Sequence, residues 1–328
     1  MSAAALPRPR RSVLYMPAAN ARALEKAKTI AADALIFDLE DAVAPDAKEA
    51  AREGACAAVA SGAYGHRELT IRCNGLDTPW GRDDIAAAGA AAPSAVVIPK
   101  VDNAVELAAV SALLEAAGAP DSTRIWAMIE TPGGIAKSRA IADFERVDAL
   151  VMGTNDMAKE LRATITPDRA ALVPHLATCL VAAREACVTA LDGVYNDISD
   201  ADGFAAVCRQ GAELGFDGKT LIHPSQVESA NAAFSPSLDE LDFHRRVIEA
   251  FDTALADGRG VVTVDGRMVE NLHVDEARRA IALADAIAQR QEAEPNGEAV
   301  ARAARERSGQ ERETTSAAME RPLDRRMP

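Results

Sequence analysis

Eight short apolar runs recur along this chain, with alanine-rich stretches between them. The runs are Val13–Tyr15, Ala34–Asp38, Leu69–Arg72, Ala95–Lys100, Ile125–Glu130, Ala149–Gly153, Thr189–Asp192 and Thr220–His223. Helical patterns lie between them, as at Asn20–Ala32, Asp46–Ser61, Asn103–Ala117 and Asp202–Leu214. Strands that alternate with helices imply a parallel sheet. Eight such units in about 230 residues is the count of a TIM (β/α)8 barrel. A doubly wound open sheet competes, but no Gly-x-Gly-x-x-Gly follows the first run to favour it.

The strand ends carry the chemistry. Almost every run finishes in, or just before, a reactive side chain: Asp38 (then Glu40 and Asp41), Arg72, Lys100, Glu130, Asp156, Asp192 and His223. In this barrel the C-terminal strand ends form one mouth, so these groups are expected to converge on a substrate there. Glu130 and Asp156 follow two successive runs. Neighbouring strands lie about 4.8 Å apart, so both carboxylates can address one ion. Two hard carboxylates suit Mg²⁺ better than Zn²⁺, which prefers His and Cys. The plainer alternative is two unrelated acids capping helices. Arg72 can grip a carboxylate or a developing oxyanion with two parallel hydrogen bonds. Its plainer alternative is an ion pair with Asp38 or Glu40. The acids Asp38, Glu40 and Asp41 outnumber what one metal needs, so some are expected to orient Arg72, Lys100 or a metal-bound water. Lys100 is expected in an ion pair rather than as a Schiff-base former, and His223, before Pro224, as a structural residue.

Composition narrows the class. A hydrophobic share of 48% is enough for a substantial core, and aromatics are few at 4%. The formal charge of −14 argues against nucleic acid or an anionic membrane as the general partner. Cys56, Cys73, Cys179, Cys187 and Cys208 form no Cys-x-x-Cys pair, and their odd number makes a disulfide framework a poor reading. No apolar run reaches membrane-spanning length. Arg8, Arg10 and Arg11 are not followed by a signal-type apolar run, so the cytoplasm is the default location.

Four regions are expected: a loose leader over 1–11, a barrel over 12–232, an extension over 233–292 and a disordered tail over 293–328. Phe234–Asp257 reads as a long helix with Ser235-Pro236 at its start. Gly258–Glu270 reads as a hairpin turning at Asp265-Gly266, and Val274–Gln289 as a final amphipathic helix. The tail is charged and poor in large apolar residues, which cannot build a core.

Taken together, six segments resemble the citrate lyase β-subunit-like, or malyl-CoA lyase, group of the HpcH/HpaI aldolase superfamily. They are Phe37–Pro45, Ile71–Thr78, Ile98–Lys100, Ile129–Gly133, Gly153–Asp156 and Gly218–Pro224, in order along the barrel. Asp192–Asn196 and Val269–His273 look most like the thioesterase branch of that group. The resemblance implies a TIM barrel, Mg²⁺ held by Glu130 and Asp156, and Arg72 at the acyl end of a CoA thioester. It implies a homo-oligomer whose C-terminal segment covers a neighbouring subunit's active site. It places Lys26 at the CoA phosphates, with a solvated helix face as the alternative. Where many relatives have Pro-Gly after the first strand, this chain has Pro17-Ala18-Ala19, which puts a close backbone approach to phosphate in doubt.

The activity implied is Mg²⁺-dependent hydrolysis of (3S)-malyl-CoA to malate and CoA. Two alternatives stand beside it: a lyase splitting the C–C bond of malyl-CoA, citramalyl-CoA or a citryl thioester, and a non-catalytic acyl-CoA-binding subunit. Glu270 separates the first two. Lyases of the group carry aspartate at the matching position as acid/base. The longer glutamate is expected to serve as base for a water at the thioester, or to attack it directly. An ion pair with Arg267 or Arg278 is the plainer alternative for Glu270. No Gly-x-Ser-x-Gly elbow supports a serine hydrolase mechanism.

Overall fold

The computed structural model describes residues 7–290 and 292. The expected disordered tail, 293–328, and residues 1–6 of the leader lie outside them. Among the described residues eight parallel strands close into a barrel in sequence order. They are β1 (Ser12–Pro17), β2 (Ala34–Asp38), β3 (Glu68–Arg72), β4 (Ala95–Ile98), β5 (Arg124–Ile129), β6 (Val147–Met152), β7 (Thr189–Asp192) and β8 (Gly218–Leu221). β1 closes the ring by pairing with β8 through Ser12↔Lys219, Val13↔Thr220 and Leu14↔Leu221.

The crossovers are α1 (Ala21–Ala27), α2 (Lys48–Ala60), α3 (Gly81–Ala91), α4 (Ala104–Ala116), α5 (Pro132–Ala136), α6 (Ser138–Ala142), α7 (Thr154–Leu161), α8 (Val173–Glu185), α9 (Ala201–Leu214) and α10 (Val227–Ala233). α1 is shorter than its sequence pattern suggests. Arg67 Nε donates to the Ile30 carbonyl at 2.5 Å and the Tyr64 hydroxyl to Leu24 O at 3.1 Å. Side chains thus take carbonyls that a longer helix would use.

Two apolar layers follow the period-two alternation of the strands. Val13, Ala34, Ile36, Val97, Trp126, Met128, Val151 and Leu191 fill the barrel interior. Their strand neighbours Leu14, Leu35, Phe37, Ile71, Ile98, Leu150 and Leu221 pack outward against the helices.

The end of the leader is not loose. Arg10 enters the base of the barrel, its guanidinium 5.0 Å from the Trp126 ring, and pairs with Glu68 (2.7 Å) and with Asp148. Arg11 grips Asp33 through Nε and Nη2 at 2.8 and 2.9 Å. These partners are remote in sequence, so the sequence shows the basic run only as a loose leader.

After α10 the chain forms an arm. α11 (Leu238–Ala256) leads to β9 (Val262–Val264) and β10 (Arg267–Val269), and a helix over 271–290, here α12, runs back. α11 begins later than the sequence suggests because Ser237, after Pro236, caps it in a capping box with Glu240. The hairpin turns where expected: Asp265 (φ 50°) and Gly266 (φ 77°) are both left-handed, as a type I′ turn requires. Val247, Phe251, Val264, Val269, Val274 and Ala277 give the arm its own small core. Arg290, at the end of α12, donates to Pro9 O at 2.9 Å and lies 3.6 Å from Asp33, so α12 returns to the barrel base.

Candidate active site

One more step of the strand alternation carries the inner face into the mouth. Past Ile36 and Met128 it reaches Asp38 and Glu130. The β2–β3 register sets Asp38 directly beside Arg72. Arg72 Nε and Nη2 donate to the two Asp38 oxygens, each at 2.6 Å. Its Nη1 lies 2.8 Å from Glu40 Oε2 and 3.6 Å from Asp41 Oδ2, and its face lies 4.9 Å from the Tyr15 ring. Burial works against the Arg72 charge, but Asp38, Tyr15 and Glu40 hold its pKa well above the ordinary range. The ion pair considered as the alternative for Arg72 therefore exists. It orients the group: Asp38 takes one edge, Tyr15 one face, and Nη1 lies against Glu40 and Asp41.

Glu130 follows β5 and is only 5% exposed. Burial, then the nearby Glu40, push its carboxyl up to about 8, and Asp156 adds to the repulsion. Its Oε1 accepts from the Lys100 backbone N–H at 2.9 Å. Gly153, at the matching level after β6, makes room for it: a Cβ there would stand 2.2 Å from Glu130 Oε2. Asp156 sits in the first turn of α7, where the helix dipole favours negative charge. Lys100 Nζ lies 3.2 Å from Glu40 Oε1 and 3.4 Å from Asp156 Oδ2, which is the ion pair expected of it. Arg72, Glu40, Lys100, Asp156 and Glu130 thus form one connected charge cluster.

Asp192 does not join it. Leu191 faces the barrel interior, so Asp192, one residue on, faces the helices. It is fully buried, and its oxygens accept from Arg169 Nη1 (2.8 and 2.9 Å), Lys219 Nζ (3.0 Å) and Gly193 N (2.8 Å). Arg169 and Lys219 hold its carboxyl below the usual range against burial. With every lone pair occupied behind the wall, Asp192 fixes the β7 loop and has no free oxygen for substrate. His223 is structural: its Nδ1 accepts from Ser225 N at 3.2 Å and caps a short turn.

The profile of the HpcH/HpaI aldolase/citrate lyase family matches residues 11–224. The chain belongs to that family. A (3S)-malyl-CoA thioesterase of Cereibacter sphaeroides is 51% identical over 280 residues, 85% of this chain and 96% of that relative. The citrate lyase subunit beta of Escherichia coli K12 is 36% identical over 284 residues, 85% of this chain and 94% of that one. The protein CitE of Mycobacterium tuberculosis, solved with magnesium, acetoacetate and coenzyme A, superposes with a TM-score of 0.70 at 28% identity, covering 84% of this chain and 98% of that one.

Among the described residues of this family member, no group of three or more His, Cys, Asp or Glu is arranged as a metal cage. The donor set that is present still fits Mg²⁺. That ion keeps several waters and is commonly held by one or two carboxylates, the rest of its shell coming from substrate oxygens. A buried carboxyl held at about 8 beside two further acids is where a divalent cation lowers the energy most.

Two supporting residues escaped the sequence reading. Tyr15 was signalled by its phase with Val13, but no partner was visible. Lys48 donates to Leu39 O and Glu40 O, both at 2.7 Å, and to Asn74 Oδ1 at 2.8 Å. It pins the acidic turn after β2 to the loop after β3. Lysine in the first turn of a helix gives no hint of such a role. Lys26 is exposed on α1, and Glu270 lies half-buried just after β10. Among the described residues Glu270 makes no ion pair. Arg278 pairs with Asp252, and Arg267 stacks on Phe243.

Proposed function

We propose that this chain hydrolyses (3S)-malyl-CoA to malate and CoA with Mg²⁺ at Glu130 and Asp156. The observation that carries the reading is the 51% identity to a (3S)-malyl-CoA thioesterase across 96% of that relative. The mouth geometry supports it, since Arg72 and two metal-competent carboxylates share one cluster. A silent binding subunit would have no use for a buried Glu130 beside a second carboxylate, Asp156.

Bound Mg²⁺ would supply Lewis-acid polarisation to the oxygens of the 2-hydroxy-acid end. Arg72 presents Nη1 to the thioester carbonyl and stabilises the oxyanion, with Asp38 and Tyr15 holding it in place. Glu40 has to share that nitrogen with the substrate. Glu270 takes the proton of the attacking water. The C–S bond then breaks, and the CoA thiolate leaves with the proton that Glu270 returns. Direct attack by Glu270 through an anhydride differs in one readout: it transfers ¹⁸O from labelled enzyme carboxylate in a single turnover.

Glu270 reaches a mouth by way of a second copy of the chain. α11 spans 19 residues, about 28 Å of helix, and starts near the barrel base. Among the described residues no hydrogen bond or ion pair joins residues 238–289 to the barrel. Leu238, Leu255, Val261, Met268 and Leu272 are exposed on the arm, and a groove of about 640 Å³ lined by Phe243, Met268 and Val269 lies there too. Such apolar surface suits contact with another protomer. Lys26 meets the CoA phosphates. The cytoplasm, with its reducing thiol pool, accords with five free cysteines.

The test is product analysis of Glu270 variants. Glu270→Gln should lose hydrolysis. Glu270→Asp should lose hydrolysis and gain C–C cleavage, read as acetyl-CoA plus glyoxylate. Wild-type hydrolysis by Glu270→Gln would remove Glu270 from the mechanism.

A further inference from the structure

Lys100 touches both carboxylates assigned to the metal, each with a different part of itself. Its backbone N–H donates to Glu130 Oε1 at 2.9 Å. Its ammonium lies 3.4 Å from Asp156 Oδ2 and 3.2 Å from Glu40 Oε1. This double reach depends on an unusual backbone: Lys100 adopts φ 52°, a left-handed conformation that few non-glycine residues occupy. Such outliers cluster at functional sites. The side chain is 49% exposed, so the ammonium can swing between its two carboxylates and water.

We propose that Lys100 is a positioning residue whose ammonium competes with the divalent cation for Asp156 and so weakens metal binding until substrate arrives. The proposal rests on the reading of Glu130 and Asp156 as the metal seat, and deepens it. Two cations on one carboxylate repel each other at this distance. A metal settling on Asp156 has to send the ammonium toward Glu40 and the mouth. There the displaced charge meets the anionic end of an incoming hydroxy acid. By reciprocity, that acid then strengthens metal binding. Arg72 cannot play this part, because Asp38 holds it bidentately. Glu40 is the other station of the ammonium and itself leans on Arg72 at 2.8 Å.

The test is calorimetric titration of Mg²⁺ into the full chain, first without substrate and then with malate. Solvent exposure screens the repulsion, so the expected effect is modest: Lys100→Met and Lys100→Gln should bind Mg²⁺ about 3- to 10-fold tighter than the unaltered chain. Lys100→Arg keeps the charge and should bind like the unaltered chain. Malate should tighten Mg²⁺ binding in the unaltered chain and do so less in Lys100→Met. Melting curves establish that each variant is folded, and the two neutral variants guard against one that is not. Unchanged or weaker Mg²⁺ binding in both neutral variants overturns the competition. If Asp156→Ala meanwhile loses Mg²⁺ binding, the metal seat survives that failure. If Asp156→Ala binds Mg²⁺ normally, seat and competition fall together.

Discussion

The two ends of this barrel handle charge in opposite ways. At the base, Arg10 and Arg11 face Glu68, Asp148 and Asp33, and Arg290 from the arm joins them. Each buried cation there meets a carboxylate, and Trp126 covers one guanidinium face. At the mouth, among the described residues, the ion pairs of Asp38, Glu40, Asp41 and Asp156 run only to Arg72 and Lys100, and Glu130 accepts from the Lys100 backbone N–H. Five carboxylates face two paired cations here, and burial first, then the neighbouring acids, raise the pKa of both Glu40 and Glu130. A balanced, buried network has a structural task. An unbalanced one in a cleft is poised for a cation or a proton. The same fold thus keeps stability at one end and chemistry at the other.

The strongest way to break this contrast is to mutate both ends. Glu130→Ala and Asp156→Ala should each lower turnover by an amount on the order of a thousandfold or more, read as kcat/KM. Neither should unfold the barrel in EDTA, because neither carboxylate belongs to the apolar layers that hold it together. Arg10→Met should do the reverse. It leaves Glu68 buried without its main partner, which costs about 3 to 5 kcal/mol of stability in denaturant titration, while kcat stays unchanged. A mouth variant that unfolds, or an Arg10 variant that loses turnover while folded, would erase the distinction.

Arg72→Lys probes geometry against charge. Lysine keeps the charge but loses the fork that Asp38 grips at two points. The loss should approach that of Arg72→Ala, about a hundredfold or more in kcat/KM. A Lys variant that keeps most of its activity would show that charge alone suffices.

Much of this layout was legible beforehand, and the failures have a common form. The eight strands announced themselves because apolar runs end at polar breaks, and Asp38, Arg72, Glu130 and Asp156 stood at those breaks. Asp192 stood at one too, yet it points the other way. Its phase, one residue past the inward Leu191, held the answer, but strand phase is only as good as the strand boundary. Arg10 was misread for a different reason. Its partners Glu68 and Asp148 lie 58 and 138 residues away, and no local pattern encodes such a pairing. Lys48, which fixes the turn carrying Glu40, is likewise a matter of tertiary contact.

A smaller effect sharpens the mouth's side of the comparison through pH. Glu130 is held at about 8, above its ordinary 4.5, so the folded chain keeps a proton there that the unfolded chain gives up. The stability this group contributes is therefore complete below about 4.5 and lost as pH rises through about 8. In EDTA, Tm should fall across that window, and Glu130→Gln should flatten the fall. Mg²⁺ affinity should climb over the same range, by at most about tenfold per unit, as the metal displaces the proton. A Mg²⁺ affinity independent of pH between 6 and 8 would contradict the shift. The smallest effect expected is none: deleting residues 293–328 should leave kcat/KM unchanged, since their composition builds no core. A folded but inactive truncation would give the tail a role.

The account's central claim is that the surplus charge at the mouth holds Mg²⁺ for thioester hydrolysis. It is tested most directly by incubating the full chain with (3S)-malyl-CoA and separating the products. The prediction is equal amounts of malate and free CoA, none after EDTA, and full recovery when Mg²⁺ is restored. Undiminished hydrolysis in excess EDTA, or acetyl-CoA and glyoxylate as the main products with Mg²⁺ present, would contradict it.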